Sequence, residues 1–221
     1  MVDHNKLRAR LMDGAIKAVA EHGLEGLTTR SIEQQCKLKD SYIYRYFEDK
    51  EDLLKKAFIR EDTTLIAVIE HYFPVMYEEK KSFKDRCYSL WQPCWQYLVS
   101  RPDVCSFYVR YYYSTYFKEK ALPEHLKICA ILIDKMKDAF PSTTNVEMIL
   151  HHILETMLSY GMKVSLGEVE NTEELSDSIF KIIYSIIDVY MGNSSSPKKD
   201  EIKEQGQLSY MEFYSIVKEW K

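Results

Sequence analysis

The chain has 221 residues, 30 Lys/Arg against 34 Asp/Glu for a formal charge of -4, and a 46% hydrophobic composition, enough for one large or two small cooperative domains and too apolar for a disordered chain. Only 7 Gly and 6 Pro are present, about half of average usage at roughly 12%, which starves an all-β fold of its turns. The 5 cysteines, at 36, 87, 94, 105 and 129, are odd in number and never spaced as Cys-x-x-Cys, which excludes a disulfide framework and a zinc ribbon and leaves them as small buried hydrophobes.

Residues 1–10 lead into an amphipathic stretch without the roughly 7- to 15-residue apolar core of a signal peptide, so a cytoplasmic protein is expected. Leu7, Leu11, Ala15, Ala18, Val19 and His22 recur at steps of three and four, and Gly23 ends that helix. Thr28 stands three residues before Ser31, with Ile32 and Cys36 four apart, which predicts a short capped helix of about two turns. A second short helix, Asp40 to Phe47, follows closely. From Asp49, the positions Leu53, Leu54, Ala57, Phe58, Leu65, Val68 and Ile69 support a long helix to about Phe73, where Pro74 stops it.

Two short helices joined by a tight turn, after a supporting helix and before a long one, make a helix-turn-helix head whose second short helix enters the major groove. The charge agrees: residues 1–60 carry 12 Lys/Arg and 10 Asp/Glu, whereas residues 61–221 carry 18 and 24, so a mildly basic head sits on an acidic body.

The residues sharpen this reading. Leu11-Met12-x-x-Ala15, Ala18-Val19-x-x-x-Gly23, Thr28-x-x-x-Ile32 and Tyr44-x-Tyr46-Phe47-x-x-Lys50-Glu51-x-Leu53-Leu54 resemble the head of the tetracycline-repressor (TetR) family of transcriptional regulators, over about 45 residues. The resemblance implies phosphate contacts from Thr28, Arg30, Tyr44, Tyr46 and Lys50, and base reading by Ser41, Tyr42 and Arg45. Hydroxyl and cationic groups at helix N-termini suit phosphate, and the Arg45 guanidinium can bind guanine O6 and N7 together. Three landmarks differ: Glu33 stands in place of a small alanine, Lys37 in place of the turn glycine and Lys39 in place of a serine cap. A non-glycine residue in a left-handed turn costs on the order of 1 kcal/mol, and Asp40 is expected to cap the recognition helix in place of the serine.

Farther along, Ser82 to Ser100 is predicted as a helix kinked at Pro93, Pro102 opens the next, and Pro123 opens another that ends near Pro141. The longest uncharged run, Cys87 to Ser100, falls short of the roughly 18 apolar residues of a membrane span. Thr144-x-x-Glu147 and Asn171-x-x-Glu174 read as capping signatures before two strongly apolar helices, 146–166 and 175–191. In the second, Ile179, Phe180, Ile182, Ile183, Ile186, Ile187 and Tyr190 cover more than one stripe, and a partner subunit is the simplest cover. Residues 192–208 are a polar linker by composition, and Ser209-x-x-Glu212 caps a terminal amphipathic helix carrying Tyr210, Phe213, Tyr214, Val217 and Trp220.

Tyrosine is the outlier, 17 of 221, and nine of these lie between Tyr72 and Tyr116 beside Trp91 and Trp95. Aromatic walls with hydroxyl tips suit a flat, apolar or cationic molecule, and the resembled family places its effector here; the candidate ligand contacts are Trp91, Trp95, Tyr111, Tyr112 and Tyr160. His151 and Glu155 share a helix face, but two ligands do not make a metal site. No phosphate loop, dinucleotide fingerprint or nucleophile elbow occurs, so neither catalysis nor a cofactor is expected. The expectation is an all-α protein with three parts: a DNA-binding head over 1–48, an effector-binding and dimerisation body over 49–191, and a linker with a terminal helix over 192–221. As a homodimer paired through 146–166 and 175–191 it would bind a near-palindromic operator, as a repressor rather than an activator, and a small effector would release it. A helical interaction module that no longer recognises DNA is the alternative.

Overall fold

The computed structural model describes residues 4–191, and among them every regular element is helical. In chain order these are α1 (His4–His22), α2 (Thr29–Cys36), α3 (Ser41–Tyr46), α4 (Lys50–Tyr72), a 3₁₀ turn (Phe73–Tyr77), α5 (Phe83–Val99), α6 (Pro102–Tyr112), a π-helical turn (Phe117–Ala121), α7 (Leu122–Ala139), α8 (Val146–Ser165) and α9 (Glu173–Tyr190). The polar linker and terminal amphipathic helix read from the sequence lie outside the described residues.

Local chemistry sets the boundaries. Gly23, at φ 74°, ends α1 in the left-handed conformation that glycine adopts at least cost. Thr28 caps α2 reciprocally: its side chain accepts from the Ser31 amide at 3.1 Å, and the Ser31 hydroxyl accepts from the Thr28 amide at 3.1 Å. Asp49 caps α4 by accepting from the Asp52 amide at 2.7 Å, and Ser82 caps α5 in the same way. Helix α5 continues through Pro93. Two predicted caps are each displaced by one residue. Asn145, not Thr144, accepts from the amide of Met148 to open α8, and Thr172, not Asn171, accepts from that of Leu175 to open α9. Two capping residue types stand side by side at each start and only the backbone geometry chooses between them, which moves Glu147 and Glu174 from the third helical position to the second.

The head, α1 to α3, packs through α1 against α4 and α6, and α6 in turn packs on α8. Leu11, Ala15, Ala18, Val19, Ile32, Ile43 and Phe47 form its buried centre. Helices α1 and α2 meet so closely at Gly14 that a Cβ there would stand 2.6 Å from the Cβ of Cys36. In the body, Phe58 of α4 is the hub of an aromatic core, with ring centroids of Tyr108 and Tyr111 at 4.8 Å and of Phe117 at 5.3 Å. Four of the five cysteines are buried and Cys87 is half-buried, and all are free thiols. Burial raises their pKa values, to about 12 for Cys87 and Cys94. Among the described residues no helix is long and apolar enough to cross a membrane.

Candidate nucleic-acid interface and interior cavity

The turn between α2 and α3 closes with Lys37 at φ 53° and ψ 37°, the left-handed conformation predicted for this position, held by its amide donating to the Glu33 carbonyl at 2.7 Å. Asp40 does not cap α3: its backbone is already helical and its side chain makes no capping bond. The first turn of α3 is held instead by the backbone, with the Tyr42 amide donating to the Lys39 carbonyl at 3.0 Å and the Ile43 amide to the Asp40 carbonyl at 2.8 Å. A residue with helical φ and ψ is inside the helix, where its carboxylate no longer reaches the free amides.

Helix α3 buries Ile43 and presents Ser41, Tyr44 and Arg45 to solvent, with Tyr44 62% exposed. Tyr42 is half-buried against the head core. Tyr46 is also half-buried, its hydroxyl 2.9 Å from His4 Nδ1 and its ring under the Arg45 guanidinium. Arg30 is exposed in the first turn of α2, beside amides that have no acceptor within the helix. Thr28 lies at the same end, with its hydroxyl committed to the cap. Lys50 donates its ammonium to the Leu27 carbonyl at 2.9 Å, which ties the start of α4 to the segment entering α2 and explains a lysine at a helix start that the dipole disfavours. His4, and Arg8 stacked over Phe47 at 5.6 Å, join this face from α1; they were not legible in the sequence because their neighbours are some forty residues away.

Behind the head, two buried carboxylates anchor α4 to the body. Glu61 accepts from Arg60 at 2.8 Å and from Arg101 at 2.9 Å, while Arg60 also donates to Asp13 of α1 at 2.6 Å. Asp62 accepts from the Tyr108 hydroxyl at 2.6 Å and lies 2.9 Å from His125 Nδ1; Cys129 Sγ is 3.6 Å from the other ring nitrogen. The line Cys129, His125, Asp62 has the order of a nucleophile, base and orienter. Burial, with the Asp62 charge behind it, drives the Cys129 pKa strongly upward, however, so the group is a neutral thiol in the core.

A wholly apolar cavity of about 90 Å³ lies at the opposite end of α4. Ile69, Trp91, Met136, Phe140, Met157 and Ile183 are among its sixteen lining residues, none of them charged. Of the five ligand contacts predicted, Trp91 lines it. Trp95 is stacked behind Trp91, 5.4 Å between centroids, and is fully buried. Tyr111 and Tyr112 belong to the aromatic core around Phe58 and Phe117. Tyr160 is half-buried on α8 with Lys163 over its ring. The rest of the cavity wall consists of aliphatic, methionine, phenylalanine and cysteine side chains from α4, the 3₁₀ turn, α5, α7 and its C-cap Phe140, α8 and α9. A periodic sequence shows that such residues are buried and not that a gap remains among them. The Trp91 indole N–H donates to Ser176 of α9 at 3.0 Å and the Tyr88 hydroxyl to Asp177 at 2.6 Å, which ties α9 to α5 along one side.

Helix α9 has two apolar stripes. Ile179, Phe180, Ile183 and Ile187 are buried; Ile182, Ile186, Val189 and Tyr190 remain 48%, 36%, 52% and 46% exposed. Ile183 therefore faces the cavity, and a charge there would disturb the core rather than report on an outer interface. On α8, burial lowers the pKa of His151 to about 3, and among the described residues no three His, Cys, Asp or Glu side chains gather where a metal ion could sit.

Residues 11–57 match the model for bacterial regulatory proteins of the tetR family. The HTH-type transcriptional repressor AcnR of Corynebacterium diphtheriae is 27% identical over 189 residues, 80% of this chain and 92% of its own. A TetR family transcription regulator from Marinobacter aquaeolei has the same fold at a TM-score of 0.66 and 17% identity, over 82% of this chain and 95% of that one. The regulator FadR from Bacillus subtilis, solved in complex with stearoyl-CoA, matches at 0.63 and 19%, over 80% and 97%. The resemblance read from the motif thus stands: residues 11–57 match the tetR-family model, and the larger body behind them shares the all-α fold of the solved regulators.

Proposed function

We propose that this chain, with its tetR-family head, is a ligand-responsive transcriptional repressor that binds a near-palindromic operator as a homodimer and is released when a small apolar molecule enters the cavity. One observation carries this reading: α4 joins both ends of the event. Its first residue, Lys50, is bonded to the segment entering α2, and Ile69 near its far end lines the cavity. The intervening stretch is about 30 Å of continuous helix at roughly 1.5 Å per residue. A ligand that prefers a shifted α4 displaces the head, and with it the spacing of two recognition helices that should sit about 34 Å apart. The loss of DNA affinity then equals the ligand's differential affinity for the two states.

The repressor named AcnR supports repression rather than activation. The uncharged lining favours an apolar effector over a cationic one, since no carboxylate lines the cavity to neutralise a cation, and FadR with stearoyl-CoA supports an acyl-type ligand. In the dimer, the outer stripe of α9 (Ile182, Ile186, Val189, Tyr190) pairs about a two-fold axis with its mate and with α8, forming a four-helix interface. DNA contacts fall to Arg30, Ser41, Tyr44 and Arg45 on the exposed face, with Thr28, Tyr42, Tyr46 and Lys50 positioning it.

The test is binding of the full chain to the DNA upstream of its own gene across a salt series, with random duplex as competitor. A complex that survives competitor and weakens steeply with salt is expected, because phosphate contacts release counterions. A chain that binds both duplexes equally would overturn the regulator reading.

A further inference from the structure

Arg86 is half-buried and is not itself a lining residue of the cavity, but its neighbours are, and part of its guanidinium is unused. It sits in the second turn of α5, where its Nη1 donates to the Met76 carbonyl at 2.5 Å and its guanidinium carbon lies 5.4 Å from the centroid of the Phe83 ring. The Phe83 ring in turn meets Phe140 edge-on at 5.6 Å. Met76, Phe140 and the adjacent Cys87 all line the cavity. Arg86 Nε is buried with no acceptor, and the residue makes no ion pair among the described residues. A permanently charged group with a desolvated, unanswered N–H is costly to keep beside an apolar chamber. With Nη1 held by Met76, the free edge is that of Nε and Nη2, the edge on which an arginine receives a carboxylate through two parallel bonds.

We propose that the effector is a carboxylate with an aliphatic tail: the tail fills the apolar cavity and the carboxylate accepts from Arg86 Nε and Nη2. This deepens, and rests on, the reading of the cavity as the effector site. The wall supplies no polar group of its own, so the chain would be held by shape and hydrophobic transfer alone, and Arg86 supplies the one oriented contact.

Full-length protein is titrated with octanoate and dodecanoate, and with octanol and dodecanol, by calorimetry and by the tryptophan fluorescence that Trp91 reports from the cavity wall. Each acid is expected to bind about 10-fold or more tighter than its alcohol, the ratio that a charge-assisted pair supplies. Arg86→Gln should abolish that preference while leaving alcohol affinity unchanged. Arg86→Lys should restore part of it, which also covers the case in which the glutamine variant folds poorly. Met157→Trp, which fills the cavity, should abolish binding of both. Binding of acid and alcohol with a ratio that Arg86→Gln does not change would overturn the Arg86 assignment and leave the cavity reading standing. Failure of the wild type to bind any of the four would overturn both. Tighter binding of the octanoyl-CoA thioester than of octanoate, undiminished in Arg86→Gln, would place the head group elsewhere and also overturn it. Acid binding without operator binding would sink the regulator reading alone.

Discussion

Replacing the two isoleucines at the centre of the outer α9 stripe should convert the proposed dimer to monomer without unfolding the subunit. Ile182 and Ile186 are 48% and 36% exposed and lie one turn apart, so burial against a partner removes about half of each side chain from water. Complete burial of an isoleucine is worth about 1.5–3 kcal/mol, so each contributes roughly 1 kcal/mol, and two-fold symmetry counts every residue twice. Ile182→Asp and Ile186→Asp together therefore remove about 4 kcal/mol and bring four carboxylates into an apolar seam, where each would have to be desolvated or excluded. The dissociation constant should rise by at least about 10³-fold. Sedimentation velocity over a range of protein concentrations reads this directly, and thermal unfolding in the same buffer controls for the fold. A double variant that stays dimeric at the same concentrations would refute the assignment of this face. Ile183→Asp makes the contrast: Ile183 is 2% exposed and lines the cavity, so that variant should lose stability first.

Arg45→Ala should cost about 1–3 kcal/mol of operator binding and relax preference at one base pair, while binding to random duplex changes little; an unchanged operator affinity would favour an interaction module over a DNA reader. Lys37→Gly should stabilise the chain by about 0.5–1 kcal/mol in urea unfolding, because glycine relieves the left-handed φ of 53° at some cost in unfolded-state entropy. His151 has its pKa lowered from 6.5 to about 3, by burial first and the nearby His125 second, so the folded state binds fewer protons than the unfolded one. Stability should then fall as pH drops from about 6.5 toward 3, with a slope of up to about 1.4 kcal/mol per pH unit from this group. His151→Asn should flatten that part of the unfolding profile.

Helix boundaries and the shape of the head were legible in the sequence because they rest on local chemistry. Gly23 at a helix end, Thr28 and Asp49 at helix starts, Pro102 and Pro123 in first turns and the block from Tyr44 to Leu54 act on neighbours within a few residues, and a linear pattern reports them. The displaced caps at Asn145 and Thr172 and the absent cap at Asp40 mark where that reasoning stops, since the choice between adjacent capping residues depends on the φ and ψ that packing imposes. The double stripe of α9 was also visible as an excess of apolar residues, but which stripe faced inward was not, because two faces of similar hydrophobicity are distinguished only by what packs against them.

Tertiary structure alone decided the rest. Clustering of tyrosine and tryptophan correctly located an aromatic body, yet of the five proposed contacts it was Trp91 that met the cavity, while Tyr111 and Tyr112 closed around Phe58. Side-chain volume and crossing geometry, not composition, determine where close packing leaves a gap. The pairs that tie α4 to its surroundings, Glu61 with Arg101 and Asp62 with His125, are separated by 40 and 63 residues. The unanswered N–H of Arg86 lies where Met76 and Phe83 pack against its guanidinium. Such contacts depend on how distant helices meet, and no periodicity along the chain encodes that.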